Sequence, residues 1–251
     1  MLEPLLITAY MQSPVAGDFS LPLDAILYYQ AHREVLGPQV ATVPGAHVAE
    51  GVGSAALPIA KQRVIRDGKR SREWFYRASW ARWPLATEGI DHWNCRFDFQ
   101  LESLVDFGGR KARVEIGSGR YRSYHQPIFY RHAVAIEWCV VGDCAAIERL
   151  LSCCTHIGKK VSQGWGSVLK WMVEPTADDW SVRDSAGRPT RAIPSDGGIL
   201  SGYRPSYWSP RNQALCELPD NAAEQHLIDL EGEDEGRIAS QRKEREQAKG
   251  R

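Results

Sequence analysis

Three short stretches in which every second residue is apolar constrain this chain more than any other feature. Leu5, Ile7, Ala9 and Met11 alternate with their neighbours, Val134, Ile136, Trp138 and Val140 do so again, and Leu169, Trp171 and Val173 form a third set. A period of two is the spacing of side chains on one face of a strand, so each stretch is expected to bury one face of a sheet. The first set stands far from the other two in sequence, so the sheet must be closed by contacts between distant parts of the chain.

Between the strands lie helical patterns. After Pro22, the residues Leu23, Ile26, Leu27 and Val35 fall on one face of a helix that stops before Gly37-Pro38. Gly142-Asp143 breaks the second strand, and Asp143 is placed to cap a helix whose face is Ile147, Leu150, Leu151 and Cys154 and which is expected to run to Gly158. The order strand, helix, strands, helix, strand predicts an α+β fold with a ferredoxin-like core. Residues 61–82 read as a β-hairpin about Asp67-Gly68, with flanks Arg63-Val64-Ile65 and Trp74-Phe75-Tyr76 of strand composition. Residues 38–58 are rich in glycine and proline and read as an irregular connection. Residues 175–216 read as an irregular wrap over the core carrying Tyr203, Tyr207 and Trp208. One elaborated domain, residues 1–216 with an insertion over about 38–130, is therefore expected, followed by a charged and mobile tail from 217 to 251.

Composition excludes several classes. The longest apolar stretch, Val134 to Ile147, is interrupted by Glu137 and Asp143, short of the roughly 18 residues of a membrane span. A cationic start followed by a long apolar run is also lacking at the N-terminus, so a cytoplasmic protein is expected. The six cysteines form no CxxC pair and the histidines do not stand at zinc-ligand spacing, which favours reduced thiols over a structural metal. No metal and no cofactor is expected.

Charge is uneven although the chain is neutral overall. Residues 59–211 hold 24 Lys+Arg against 16 Asp+Glu, whereas ten acids fall after residue 216. A basic body suits a polyanionic partner, and equally an ordinary solvated surface. Residues 61–82 concentrate the effect, with eight basic residues against two acids. Arg63, Arg66, Lys69, Arg70, Arg72 and Arg77 around an exposed turn point to contact with RNA or DNA.

Two further segments point the same way. Gly158-Lys159-Lys160-Val161-Ser162-Gln163-Gly164-Trp165-Gly166 joins a helix to a strand. Glycines let the backbone approach a phosphate and expose amide donors, and Lys159, Lys160, Ser162 and Gln163 supply side-chain contacts. This is not a P-loop, because Trp165 stands where a lysine is needed and the helix precedes the strand. Gly117-Ser118-Gly119 leads into Arg120-Tyr121-Arg122-Ser123-Tyr124-His125, where arginine can pair phosphates and tyrosine can stack on bases. Gly51-Val52-Gly53 lacks the flanking strand and helix of a dinucleotide site. Acid–base chemistry is conceivable only if His125, Tyr121 and Tyr124 converge, with Lys159 nearby.

The glycine loop from Ile157 to Val168 resembles that of the RAMP superfamily of CRISPR proteins. Pro22-Leu23-Asp24-Ala25-Ile26-Leu27, Trp74-Phe75-Tyr76-Arg77-Ala78-Ser79 and Gly117 to Tyr124 are similar, in that order, to the type IV subunit of the Cas-five group. The resemblance implies a ferredoxin-like core and binding to the 5′ handle of the guide RNA (crRNA). It also implies contacts with Cas-seven-like backbone subunits, a large subunit and target DNA, and a partner helicase in plasmid-targeting systems. It implies a subunit without catalysis of its own. Two alternatives stand beside it: a metal-free RAMP endoribonuclease using His125 with Tyr121 or Tyr124, and an unrelated soluble α+β enzyme.

Overall fold

In the computed structural model, residues 1–37, 56–66, 69–106, 113–117 and 119–220 are described. Most of the expected irregular connection, Asp67-Gly68 at the hairpin turn, Ser118, and the tail from residue 221 lie outside them. The first alternating stretch is strand β1 (Glu3–Met11), with Leu5, Ile7 and Ala9 fully buried. A short strand β2 (Val15–Ala16) and helix α1 (Leu23–Leu36) follow. Strands β3 (Lys61–Arg66) and β4 (Lys69–Tyr76) form the expected basic hairpin, and β5 (Thr87–Cys95) and β6 (Tyr124–His132) form a second ribbon. Next come β7 (Ala135–Gly142), helix α2 (Cys144–Ser152), β8 (Val168–Pro175), β9 (Ile193–Gly202) and β10 (Gln213–Glu217).

The central sheet has the order β7-β1-β8, with both pairings antiparallel. Its edge beyond β7 is continued by residues 78–82, through antiparallel bridges Ala78 to Val140 and Arg82 to Glu137. Small buried residues, Ala78, Ser79 and Ala81, let this segment lie close against β7. The region expected as a single insertion is therefore interrupted, because 78–82 returns to the core sheet between the two ribbons. The main core gathers Leu5, Ile7, Leu23, Leu27, Ile136, Trp138, Val140, Ile147 and Leu151 from the sheet and both helices. The architecture is a mixed α/β one, as the α+β expectation requires.

Both helices depart from their expected lengths or faces for identifiable reasons. In α1, Leu23, Leu27 and Ala31 are buried but Val35 is 63% exposed. Each step of four residues overshoots a full turn by about 40°, so three steps carry Val35 some 120° off the buried face. Helix α2 is capped as expected, the Asp143 side chain accepting from the Ala146 amide at 3.1 Å. It ends at Ser152 rather than at Gly158, because residues 155–157 are taken into pairing: Val168 N donates to Thr155 O and Ile157 N to Gly166 O, each at 2.9 Å.

The expected irregular wrap is instead a β-hairpin, β9–β10, with a small core of its own. Ala192, Tyr203 and Cys216 pack there against Val64 and Phe75 of the β3–β4 hairpin. The sequence hid it because β9 contains Asp196-Gly197-Gly198 and buries few side chains. A buried ion pair ties this unit to the core. Arg191 and Asp24 are both fully buried, with Nη2 at 3.4 Å from Oδ2, and the Tyr207 hydroxyl donates to Asp24 Oδ1 at 2.7 Å. Arg191 also donates to the carbonyls of Tyr76, Ala78 and Tyr203. Burial raises the Asp24 pKa, opposed by the Arg191 charge and the Tyr207 hydrogen bond.

Candidate nucleic-acid interface

The glycine loop is anchored by the segment that follows β1. Gln12 N donates to Ser167 O, Gly166 N to Pro14 O at 2.7 Å and Lys159 N to Ala16 O at 2.8 Å, while Ser13 Oγ donates to Gly164 O. Gln163 N and Gly164 N are satisfied inside the loop by Lys160 O and Val161 O. The amides of Lys159, Gln163, Gly164 and Gly166 are thus already engaged. Those four amides are not open to a phosphate, whereas the side chains of Ser162 and Gln163 are exposed.

The glycines divide accordingly. A Cβ on Gly166 would fall on the Ile157 carbonyl oxygen, and one on Gly158 would meet Val15 and the Ala16 carbonyl, so both are required by packing. Gly164, at φ 86°, faces open space, with nothing within 4 Å of where its Cβ would stand. Lys160 adopts the left-handed conformation at φ 60°. Ser162 and Gln163 are exposed, and Lys159 lies across Gly17.

The structure brings this loop against the β5–β6 ribbon, a convergence sequence could not establish. Lys160 Nζ stands 3.1 Å from the centroid of the Trp93 ring, and Trp165 packs on Tyr130 at 5.3 Å. Trp93 meets the edge of Tyr124 at 5.7 Å. Trp93 and Tyr130, which the sequence reading passed over, therefore belong to the candidate surface. The signal was faint because β5 is exposed along most of its length and shows no apolar alternation. The Tyr124 hydroxyl is held above its ordinary pKa by loss of solvation and by the neighbouring Cys95 thiol, so it remains a donor at neutral pH. Lysine charge, phenol and indole rings on one partly exposed surface can pair phosphates and stack on bases.

Other sequence candidates separate. His125 is opposite Asn94 in register, is hydrogen-bonded to it, and stacks on His92 at 4.3 Å. Tyr124 and His125 are neighbours in one strand and so project to opposite faces of the ribbon. Tyr121 packs against Phe97 at 5.1 Å. These positions do not form the acid–base cluster that pairing His125 with Tyr124 would need. Arg120 and Arg122 are exposed beside Tyr121. Among the described residues no group of three or more His, Cys, Asp or Glu is placed to hold a metal ion. Nor is any helix among them long and apolar enough to cross a membrane.

On the β3–β4 hairpin, Arg63, Arg70 and Arg72 are exposed, and Arg66 is paired in register with Lys69. Arg77 differs from these in its surroundings. It forms an ion pair with Asp179 and stands where the chain turns back to the core sheet, away from the exposed part of the hairpin.

The lysine-bearing loop and the aromatic ribbon thus form one partly exposed surface on a mixed α/β core. Residues 86–219, just over half of the chain, match the family described as CRISPR type IV associated protein Csf3, and the chain belongs to that family. It is a type IV CRISPR-associated subunit of the Cas5-like kind. No curated protein matches the chain.

Proposed function

We propose that this subunit binds the guide RNA of a type IV CRISPR effector, capping its 5′ handle, and that it does so without cleaving it. The observation that carries the reading is the meeting of the glycine loop with the β5–β6 ribbon through Lys160 on Trp93. Through Trp93, which meets Tyr124 at 5.7 Å, that contact joins into one surface the two segments that sequence marks for phosphate and base contact. Lys159, Lys160, Ser162, Gln163, Trp165, Trp93, Tyr124 and Tyr130 form its centre, and Arg120 and Arg122 its basic border.

Chain connectivity supports a ferredoxin-like core for this reading. Strand β1, α1, the segment 78–82, β7, α2 and β8 follow in sequence, while their spatial order is β8, β1, β7, 78–82, with all neighbours antiparallel. In such a subunit residues 1–216 form the domain, with the two ribbons carried between residues 38 and 130. Membership in the family implies a multisubunit complex. Backbone subunits, a large subunit, target DNA and a helicase are the proposed partners in antiplasmid or antiviral defence.

The test is fluorescence anisotropy of the full chain with single-stranded repeat-derived RNA. Trp93→Ala combined with Lys160→Ala is expected to weaken binding at least about tenfold, in keeping with roughly 1–3 kcal/mol per stacked base. Melting temperature should change little, since both side chains lie on a partly exposed surface. Wild-type affinity in the double variant would reject the site. Product formation from repeat RNA that is lost in His125→Ala would reject the non-catalytic role.

A further inference from the structure

A second basic surface lies at the other end of the central sheet. The glycine loop is held at the Met11 end of β1, whereas the β3–β4 hairpin joins at the Glu3 end, where Ile59 bridges Gly142 and Ala60 N donates to Val141 O. Eight residue steps of β1 separate the two ends, about 27 Å at strand spacing.

One face of the hairpin is fixed and the other is charged. Val64 and Phe75 pack into the small core shared with β9–β10. Lys61, Arg63 and Trp74 share the opposite face, since Arg63 stands opposite Trp74 in register and strand side chains alternate, and Arg72 is exposed beside them where the register shifts. The cations are organised rather than loose. Lys61 Nζ is 4.3 Å and the Arg204 guanidinium 4.7 Å from the Trp74 ring, while Arg204 Nε donates to Asn212 Oδ1 at 2.7 Å. Lys61 Nζ also lies 5.5 Å from the ring of Tyr76, which is buried in the main core.

Arginines that secure the fold have carboxylates: Arg77 with Asp179, Arg82 with Glu137, Arg131 with Glu88, Arg183 with Glu217 and Arg191 with Asp24. Lys61, Arg63, Arg70, Arg72 and Arg204 have none among the described residues. Trp74 holds Lys61 and Arg204 by cation–π contact, so the patch presents cations in fixed places for phosphates. Arg70, in register with Ile65, stands four residue steps along the ribbon from Lys61, about 14 Å at strand spacing, a span that matches a major groove about 12 Å wide, which admits a two-stranded ribbon.

We propose that this face, organised by Lys61 and Arg204 on Trp74, is a second nucleic-acid site that holds a duplex by its phosphates without reading sequence. It is separate from the glycine-loop site and does not depend on the guide-RNA reading. The subunit can then hold a single strand at one end of its sheet and a duplex at the other.

The experiment is a salt titration of the full chain against a labelled random-sequence DNA duplex about two helical turns long. Lys61→Ala, Arg63→Ala and Arg72→Ala together should weaken binding about tenfold or more. They should also reduce the slope of log affinity against log salt by two to three, at about 0.9 per phosphate contact. Trp74→Leu, which leaves every charge in place, should lower affinity severalfold, with its melting temperature recorded alongside. Saturating single-stranded RNA should leave the duplex bound, and Trp93→Ala with Lys160→Ala should leave duplex affinity as it was. Wild-type duplex binding by the triple variant, or stoichiometric displacement of duplex by the RNA, overturns the proposal. Loss of duplex binding in the triple variant together with intact RNA binding in the Trp93 and Lys160 variant would uphold this site and reject the glycine-loop reading instead.

Discussion

At Gly166 and Gly164, two glycines of one loop, the same substitution has different consequences. Gly166→Ala would drive a Cβ onto the Ile157 carbonyl, so a loss of several degrees in melting temperature is expected, by disruption of the Ile157–Gly166 pairing. Gly164→Ala meets no neighbour, and only the left-handed backbone at φ 86° opposes it, at about 1–2 kcal/mol. That corresponds to roughly 2–8 °C for a chain of this size, and RNA affinity corrected for folding should stay close to wild type. Sequence showed that the loop was special but not which glycine answered to packing, because the clash depends on strand partners distant in the chain. Arg191 and Asp24 teach the same lesson. Nothing near either residue in sequence marks a buried pair, yet both are fully buried. Arg191→Met should cost about 3–5 kcal/mol, because it leaves Asp24 in the interior without its cation, and denaturant unfolding followed by tryptophan fluorescence will measure it.

Among elements, legibility followed burial. Strands β1 and β7 each bury one face or both, and their alternating apolar residues announced them. Helix α2 was readable from Asp143 and its apolar face, although its end was not, because the ladder formed by Thr155, Ile157, Gly166 and Val168 terminates it. Strand β5 buries so little that it left no periodic trace, and its pairing with β6 along the full length of both strands comes from backbone hydrogen bonds that carry no side-chain signature. The β9–β10 hairpin was likewise missed. Its outer closure includes Arg183 with Glu217, whose Nη2 and Oε2 are 2.6 Å apart. The hydrogen bond from Arg183 holds the Glu217 carboxyl below its ordinary range. A depressed folded pKa means that this contribution is complete above the unfolded value and is lost as pH falls through the folded one. Both side chains are nearly half exposed, so the effect is at most about 1 kcal/mol. Protection factors of the β10 amides, that is exchange corrected for the intrinsic rate at each pH, should fall on acidification below about pH 4 relative to those of the central sheet, and Glu217→Gln should abolish that difference.

For the whole molecule, the apolar clusters close with Cys216 and Leu218. The last 31 residues of the sequence are polar and hold eight acids against six bases, the acids falling mostly in their first half. Lacking apolar periodicity, they have little to bury on a core. A chain ending at Asp220 is expected to melt within a few degrees of the full protein. Removing acids also removes repulsion of a polyanion, so affinity for RNA should be equal or higher, and most clearly so at low salt. Binding itself should fall steeply with salt, in proportion to the phosphates contacted. Anisotropy at several salt concentrations on both chains checks the two statements together, and a large fall in melting temperature on truncation would show that the tail packs.

Local order was written in the sequence: two helices, the strands that bury a face and the basic hairpin. These follow from residue spacing against the fixed periods of helix and strand, which require no knowledge of distant partners. What only the tertiary structure decided is convergence. It placed Lys160 on Trp93, turned His125 and Tyr124 to opposite faces, returned residues 78–82 to the core sheet and set the two basic surfaces at opposite ends of β1. Such placements depend on strand register and on side chains brought together from more than sixty residues apart, and neither leaves a mark in the local pattern of the chain.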